Sequence, residues 1–182
     1  MLINSILPES KVNGPGNRAV VWVQGCSMNC EGCFNNSAHS YTGGTELTAQ
    51  QIFMQLDCSV ITGITVSGGE PFEQSFELEK LLKLAKANKL NTLVYTGYSF
   101  EKLCIEHNST LKLCDYLIDG PYMKNIPSKC KWAGSGNQRF LKLVDGQIVN
   151  NLTENEEYSR NAEIMIDAAG KITVTGFIEV ER

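Results

Sequence analysis

Apolar residues along this chain fall into two alternating patterns. Residues 19–24, Ala-Val-Val-Trp-Val-Gln, form an unbroken β-branched and aromatic run that stops at Gly25. Such a run predicts a buried strand followed by a loop. Residues 61–66 repeat the pattern and lead into Ser67-Gly68-Gly69-Glu70. Residues 91–95 end at Thr96-Gly97, and residues 115–118 end at Asp119-Gly120-Pro121. Between these runs the spacing becomes helical. Thr48 is placed to cap a helix through residues 50–56. Leu78, Leu81, Leu82 and Ala85 form the apolar stripe of a helix over about residues 75–88, with lysines on its outer side. A third helix covers about residues 99–107, with Glu101 at its positive N-terminal end. Strand, polar motif and helix in repeated succession predict an α/β fold with a parallel sheet and right-handed crossovers. Residues 138–144 alternate as a strand should, and residues 162–176 read as a C-terminal β-hairpin turning at Ala168-Ala169-Gly170.

Each polar motif falls at the end of a predicted strand, the edge where parallel α/β folds build their sites. The first is the most informative: Cys26-Ser27-Met28-Asn29-Cys30-Glu31-Gly32-Cys33. Three thiols spaced C-x3-C-x2-C can fold around one soft metal centre. Three ligands leave one iron of a four-iron cubane open to a small molecule. A zinc knuckle or redox-active thiols are the alternative, although zinc usually takes a second pair or Cys/His partners. Neither His39 nor His107 stands at such a spacing, and both read as bystanders. Cys58, Cys104, Cys114 and Cys130 share no ligand spacing and read as small buried hydrophobes. Cys130 differs in lying within a polar loop close to the predicted site.

C-x3-C-x2-C followed by Ser67-Gly68-Gly69-Glu70-Pro71 resembles the radical S-adenosylmethionine (SAM) superfamily. Gly14-Pro15-Gly16-Asn17-Arg18, Gln24-Gly25-Cys26 and Gly32-Cys33-Phe34-Asn35 narrow the likeness to the glycyl-radical-enzyme activases. Thr96-Gly97-Tyr98, Asp119-Gly120-Pro121-Tyr122 and Gly136-Asn137-Gln138-Arg139 resemble the activating proteins of anaerobic ribonucleotide reductase. The likeness covers about residues 12–143 of a single domain spanning 1–182, and leaves about 144–182 as an extension. It implies a partial (β/α) barrel. It also implies a [4Fe–4S] cluster on Cys26, Cys30 and Cys33, and SAM chelating the open iron. One electron then cleaves SAM to a 5′-deoxyadenosyl radical. Gly68 and Gly69, after Ser67, remove side chains where the methionine end of SAM approaches, and Glu70 faces its amino group. Phe34 can pack on adenine, and Thr96 falls in the same set of strand ends. Asp119 can bind a ribose hydroxyl, a cation or the methionine moiety, while Asn137 and Arg139 can grip the carboxylate. Position 13 is Asn where many activases carry an acidic residue.

Composition narrows the reading further. The 182 residues are long enough for a sizeable core, and a net charge of −4 argues against a nucleic-acid surface. There is no twenty-residue apolar run, and the N-terminus lacks the build of a signal peptide. Seven cysteines, odd in number and partly clustered, suit a reducing cytoplasm better than a disulfide framework. Three functions stay open. One is an activase that abstracts hydrogen from a glycine of a large partner, plausibly an anaerobic ribonucleotide reductase, with a flavodoxin- or ferredoxin-type electron donor. Another is a radical SAM enzyme acting on a small molecule or peptide. The third is an iron–sulfur electron carrier. The loop 121–137, with Lys124, Lys129 and Lys131 and little to form a core, is expected to be mobile and to border the site.

Overall fold

The first strand is one that the apolar pattern does not announce. In the computed structural model, which describes residues 1–128, 130–154, 161–166, 170 and 172–176, Leu2–Ser10 forms strand β1. Register shifts between Ile3 and Ser5 and between Leu7 and Ser10 break its alternation, so no period of two is visible in the sequence. It runs antiparallel to β2, Arg18–Val23, the first strand read from the pattern. The short β3, Thr45–Glu46, pairs with the other edge of β1.

The predicted core elements follow. Helix α1, Ala49–Phe53, is shorter than expected but carries a full capping box between Thr48 and Gln51. Strand β4 is Gly63–Gly68, helix α2 is Ser75–Ala87 and strand β5 is Asn91–Tyr95. Helix α3, Phe100–Glu106, is capped by the Ser99 side chain, and a one-turn helix α4 follows at Asn108–Leu111. Strand β6 is Tyr116–Asp119. Strands β2, β4, β5 and β6 pair in parallel, as the crossover pattern requires.

The expected parallel sheet is extended by antiparallel strands at both flanks. Strand β7, Arg139–Val144, returns antiparallel to β6, and an unforeseen β8, Gln147–Asn151, pairs antiparallel with β7. Every residue of β8 is exposed, so it shows no apolar pattern to read. The resulting sheet has the order β3-β1-β2-β4-β5-β6-β7-β8 and is mixed. Strands β9, Ala162–Ile166, and β10, Ile172–Gly176, form the expected antiparallel hairpin as a separate sheet. Its predicted turn at 168–170 and Lys171 lie outside the described residues except for Gly170.

The two faces of the large sheet have different covers. Ala19, Val21, Val23, Ile64, Val66 and Val94 pack under Leu78, Leu81, Leu82 and Ala85 of α2, making the main core. Each buried leucine there contributes about 1.5–3 kcal/mol. Register puts Val20, Trp22, Thr65, Ser67, Leu93 and Tyr95 on the opposite face. Part of that face is closed by a second core, in which Cys130, Trp132 and Ala133 pack on Leu93, Ile118 and Phe140. The loop 121–137 therefore departs from expectation. Its second half is core, with the Trp132 ring edge-on to Phe140 at 5.2 Å. Cys130 is buried in this cluster rather than set in a polar loop. The first half, residues 121–127, is the part mainly open to solvent; Lys129 lies outside the described residues. Among the described residues no helix is long and apolar enough to cross a membrane.

Candidate active site

The uncovered part of the second face is the floor of a cavity of about 580 Å³. Its wall at the ends of the parallel strands carries Cys26, Cys30, Cys33, Phe34, Ser67, Gly68, Gly69, Glu70 and Thr96. Of the residues predicted from sequence, these nine share one cavity. The cysteine loop is tied down at its base. Gly25 N donates to Ala38 O at 2.8 Å and Cys26 N to His39 O at 3.0 Å. The buried Gln24 side chain donates to Ser37 O and Ser40 O. Glu73 grips the loop from the next motif, accepting from Ser27 N at 3.0 Å, from Ser27 Oγ and from the Tyr41 hydroxyl. Burial would raise the Glu73 carboxyl, but these donors outweigh it and hold it below its ordinary value. The same bond pushes the Tyr41 phenol up to about 12.

The Gly68-Gly69-Glu70 turn joins three strands. Gly69 N donates to Val23 O, Glu70 N to Gly25 O, and the Glu70 carboxylate accepts from Phe72 N, Thr96 Oγ1 and Gly97 N at 2.8–3.0 Å. Glu70 is 1% exposed, and burial pushes it up to about 7 against those three donors. The glycines have a reason within the protein itself. Gly68 has φ +104°, and a Cβ there would lie 2.4 Å from Val23 N. At Gly69 a Cβ would lie 2.0 Å from Gly25 O. The turn needs glycine because two backbones touch, whatever binds beside them.

Asp119, Asn137 and Arg139 are not brought to the cavity wall. Asp119 is buried, accepts from Phe100 N at 2.7 Å, and pairs with Arg139, which also bridges to Glu101 at 3.0 Å. Asn137 donates to Pro121 O at 2.7 Å. Its neighbour Gln138 lines the cavity instead, bonded to Gly120 O and accepting from Gly134 N. His39, read as a bystander, also lines the cavity, whereas His107 packs on Phe72 at 5.4 Å. Sequence reasoning missed Trp22, Thr65 and Tyr95. Their signal was the period of two, which sets them on the face opposite the helix-covered core. Arg18 is buried there, and among the described residues none of its hydrogen-bond partners is a carboxylate. It donates to Thr65 Oγ1, Pro15 O and Ile64 O, pins the Gly14–Gly16 turn, and is lowered to about 10 by burial. The outer half of the 121–137 loop touches the cysteine loop. Tyr122 and Phe34 have ring centroids 5.0 Å apart, and the Lys124 stem lies over Gly32.

The donor set fits an iron–sulfur cluster. The three thiols are half-buried at one wall of one cavity, and burial pushes Cys26 and Cys33 up, so a metal's charge is needed to hold them as thiolates. Among the described residues no three His, Cys, Asp or Glu converge as ligands of a single ion. A cubane takes each thiolate on a separate iron and needs no such convergence, unlike a tetrahedral zinc ion. A strand-end cavity with three thiols on one turn and Gly-Gly-Glu on the next is the arrangement that the resemblance to radical SAM iron–sulfur proteins implies.

Comparison with known proteins takes this further. The family described as 4Fe-4S single cluster domain matches residues 12–141. The anaerobic ribonucleoside-triphosphate reductase-activating protein of Enterobacteria phage T4 is 39% identical over 153 residues, covering 80% of this chain and 97% of the relative. That of Escherichia coli K12 is 33% identical over 143 residues, covering 72% and 92%. The pyruvate formate-lyase-activating enzyme of Clostridium pasteurianum is 33% identical over 177 residues, covering 87% and 73%. The chain belongs to the 4Fe-4S single cluster domain family and to the radical SAM activating enzymes. Its cofactors are a [4Fe–4S] cluster and SAM.

Proposed function

We propose that this enzyme abstracts a hydrogen atom from a backbone glycine of a glycyl-radical enzyme, and that the partner is an anaerobic ribonucleoside-triphosphate reductase. The observation that carries the reading is the shared wall of Cys26, Cys30, Cys33 and the Gly68–Glu70 turn on one open cavity. The relatives' names supply the partner class. On this reading Cys26, Cys30 and Cys33 hold the cluster, and parallel strands β2, β4, β5 and β6 are the arc of a partial barrel around it. When bound, the cluster and SAM supply one-electron cleavage of a carbon–sulfur bond and with it a hydrogen-abstracting radical. The protein's own part is placement and exclusion of water. Glu70 holds the Thr96-Gly97 turn beside the glycines, so the backbone facing the cofactor cannot drift. Glu73 and Tyr41 hold the cysteine loop at Ser27. Phe34 on Tyr122 offers an aromatic surface for a purine. Electrons would come from a small flavodoxin- or ferredoxin-type donor.

The test is direct. The reconstituted chain is reduced anaerobically with dithionite and given SAM and the anaerobic ribonucleoside-triphosphate reductase of the same organism. Electron paramagnetic resonance should show a glycine-centred radical on the reductase. Replacing Cys26, Cys30 or Cys33 by Ala should remove that signal and most of the bound iron, while Cys58→Ala should keep both. A cluster-replete chain that cleaves SAM yet leaves the reductase without a radical overturns the partner assignment. Full cluster retention in Cys30→Ala overturns the ligand set.

A further inference from the structure

Beyond residue 141, where the family match ends, the chain adds the β9–β10 ladder. The ladder wears its apolar side outward. Register sets Ile166 opposite Ile172 and Ile164 opposite Val174, so the four share one face. They are 68, 63, 68 and 47% exposed in that order. The other face, Glu163, Met165, Thr173 and Thr175, is the one that docks. Buried Thr175 exchanges hydrogen bonds with the Asn13 side chain at 2.9 and 3.3 Å, and Glu163 accepts from Lys11 N at 2.8 Å. A half-buried ladder normally turns its branched aliphatic side inward. A two-stranded ladder has no core of its own, and a contiguous aliphatic surface on such an element marks a place where another surface packs.

Its position says which surface. Thr173, Val174, Thr175 and Gly176 form part of the wall of the same cavity that holds the thiols. They stand beside Asn13 and Thr65, upstream along β4 from the Gly68–Glu70 turn, and Thr65 Oγ1 donates to Asn13 O at 2.8 Å. That end of the cavity is lined by Asn13, Thr65 and Thr173, all neutral hydrogen-bonding groups, with Val20 beside Thr65. Neutral donors and acceptors match a polypeptide main chain, which carries one of each per residue and no charge. At the thiol side the cavity is flanked by Phe34, 65% exposed, on Tyr122. The opening thus has apolar surface at both ends, and the trough between them sets neutral hydroxyl and amide groups beside Val20, Trp22 and Tyr95.

We propose that the β9–β10 ladder is the docking element for the protein that presents the glycine. Its outer face packs on that partner, and the neutral trough beneath receives the partner's extended main chain. The proposal rests on the activase reading above and assigns the substrate's side of that site. Val174 belongs both to the outer face and to the cavity wall, so one continuous surface leads from the ladder to the trough.

The test uses the full, cluster-loaded chain with Ile164→Glu and Ile172→Glu together. Both positions are exposed, so the fold should tolerate them. The probe is the anaerobic ribonucleoside-triphosphate reductase of the same organism. Affinity for it should fall about tenfold or more, seen as a raised KM for glycine-radical formation with kcat unchanged. SAM cleavage without the reductase should match the parent chain, and Ile172→Leu by itself should bind at the parent level. Unchanged affinity in the double variant, with normal radical formation, overturns the docking role alone. So does a double variant that splits a dimer of this chain, by sedimentation, while binding the reductase as before. A parent chain that cleaves SAM but forms no glycine radical overturns the activase reading and the docking role with it.

Discussion

Glu70 shows how one residue can be legible in type and illegible in use. The Gly-Gly-Glu triplet after an apolar run marks a strand-end turn from sequence alone. What the carboxylate holds depends on Thr96 and Gly97, 26 and 27 residues away, which only pairing of β4 with β5 brings near. Its burial has a measurable consequence. An acid raised from 4.5 to about 7 by the fold stabilises it below the unfolded value, and that contribution is lost as pH rises through 7. Unfolding of the cluster-free chain should therefore show roughly 2–3 kcal/mol less stability at pH 8 than at pH 5 from this group. Glu70→Gln should remove that part of the slope. Equal slopes in the two proteins would contradict the assignment. Asp119 and Arg139 make the same point in reverse. Their residue types suit an anionic ligand, yet each finds the other across the antiparallel pair of β6 and β7. The sequence carried no signal that β7 would return antiparallel and set them side by side.

At the level of elements, the strands and helices that carry cavity motifs were readable because their apolar residues are buried on one side in a regular period. Strand β1 escaped because bulges break that period, and β8 because it is exposed throughout. The 121–137 loop was misread for another reason. Glycine, proline and lysine dominate it, but Cys130, Trp132 and Ala133 turn its second half into core, with Trp132 the largest of them. Trp132→Ala should cost about 3–5 kcal/mol of unfolding free energy, as for other buried aromatic truncations. Iron bound per folded chain should stay the same, since Trp132 does not line the cavity. A variant as stable as the parent would show that the loop is not held by this ring. Shortening the exposed half at 123–127 should instead spare stability and disturb the surface next to Gly32 and Phe34.

The whole molecule is a sheet with one face filled by helices and the other left open where the thiols stand. An open cavity is an unfilled binding site, so its ligands should stabilise the chain by mass action. SAM at about one hundred times its dissociation constant adds about 2.7 kcal/mol. For a chain of this size that raises the melting temperature by roughly 5–10 °C. The rise should appear in cluster-loaded protein and vanish in Cys30→Ala. An equal rise in both would mean that SAM binds without the cluster.

Local order was decided along the chain. Consecutive β-branched runs, helical stripes, Thr48 and Ser99 caps and the three-cysteine spacing all act over a few residues, so the sequence contains them in full. They were enough for the parallel strands β2, β4, β5 and β6, the wall that carries the motifs and the class of cofactor. Contacts between distant segments were decided only by the tertiary structure. These are the antiparallel flanks, the burial of Cys130, the pairing that takes Arg139 from the cavity, and the entry of Gln138, His39 and Thr175 into its wall. The physical reason is one of range. A period or a cap is a property of neighbours in sequence, whereas the partner of a buried charge or the cover of a sheet face is chosen by whichever remote segment arrives there.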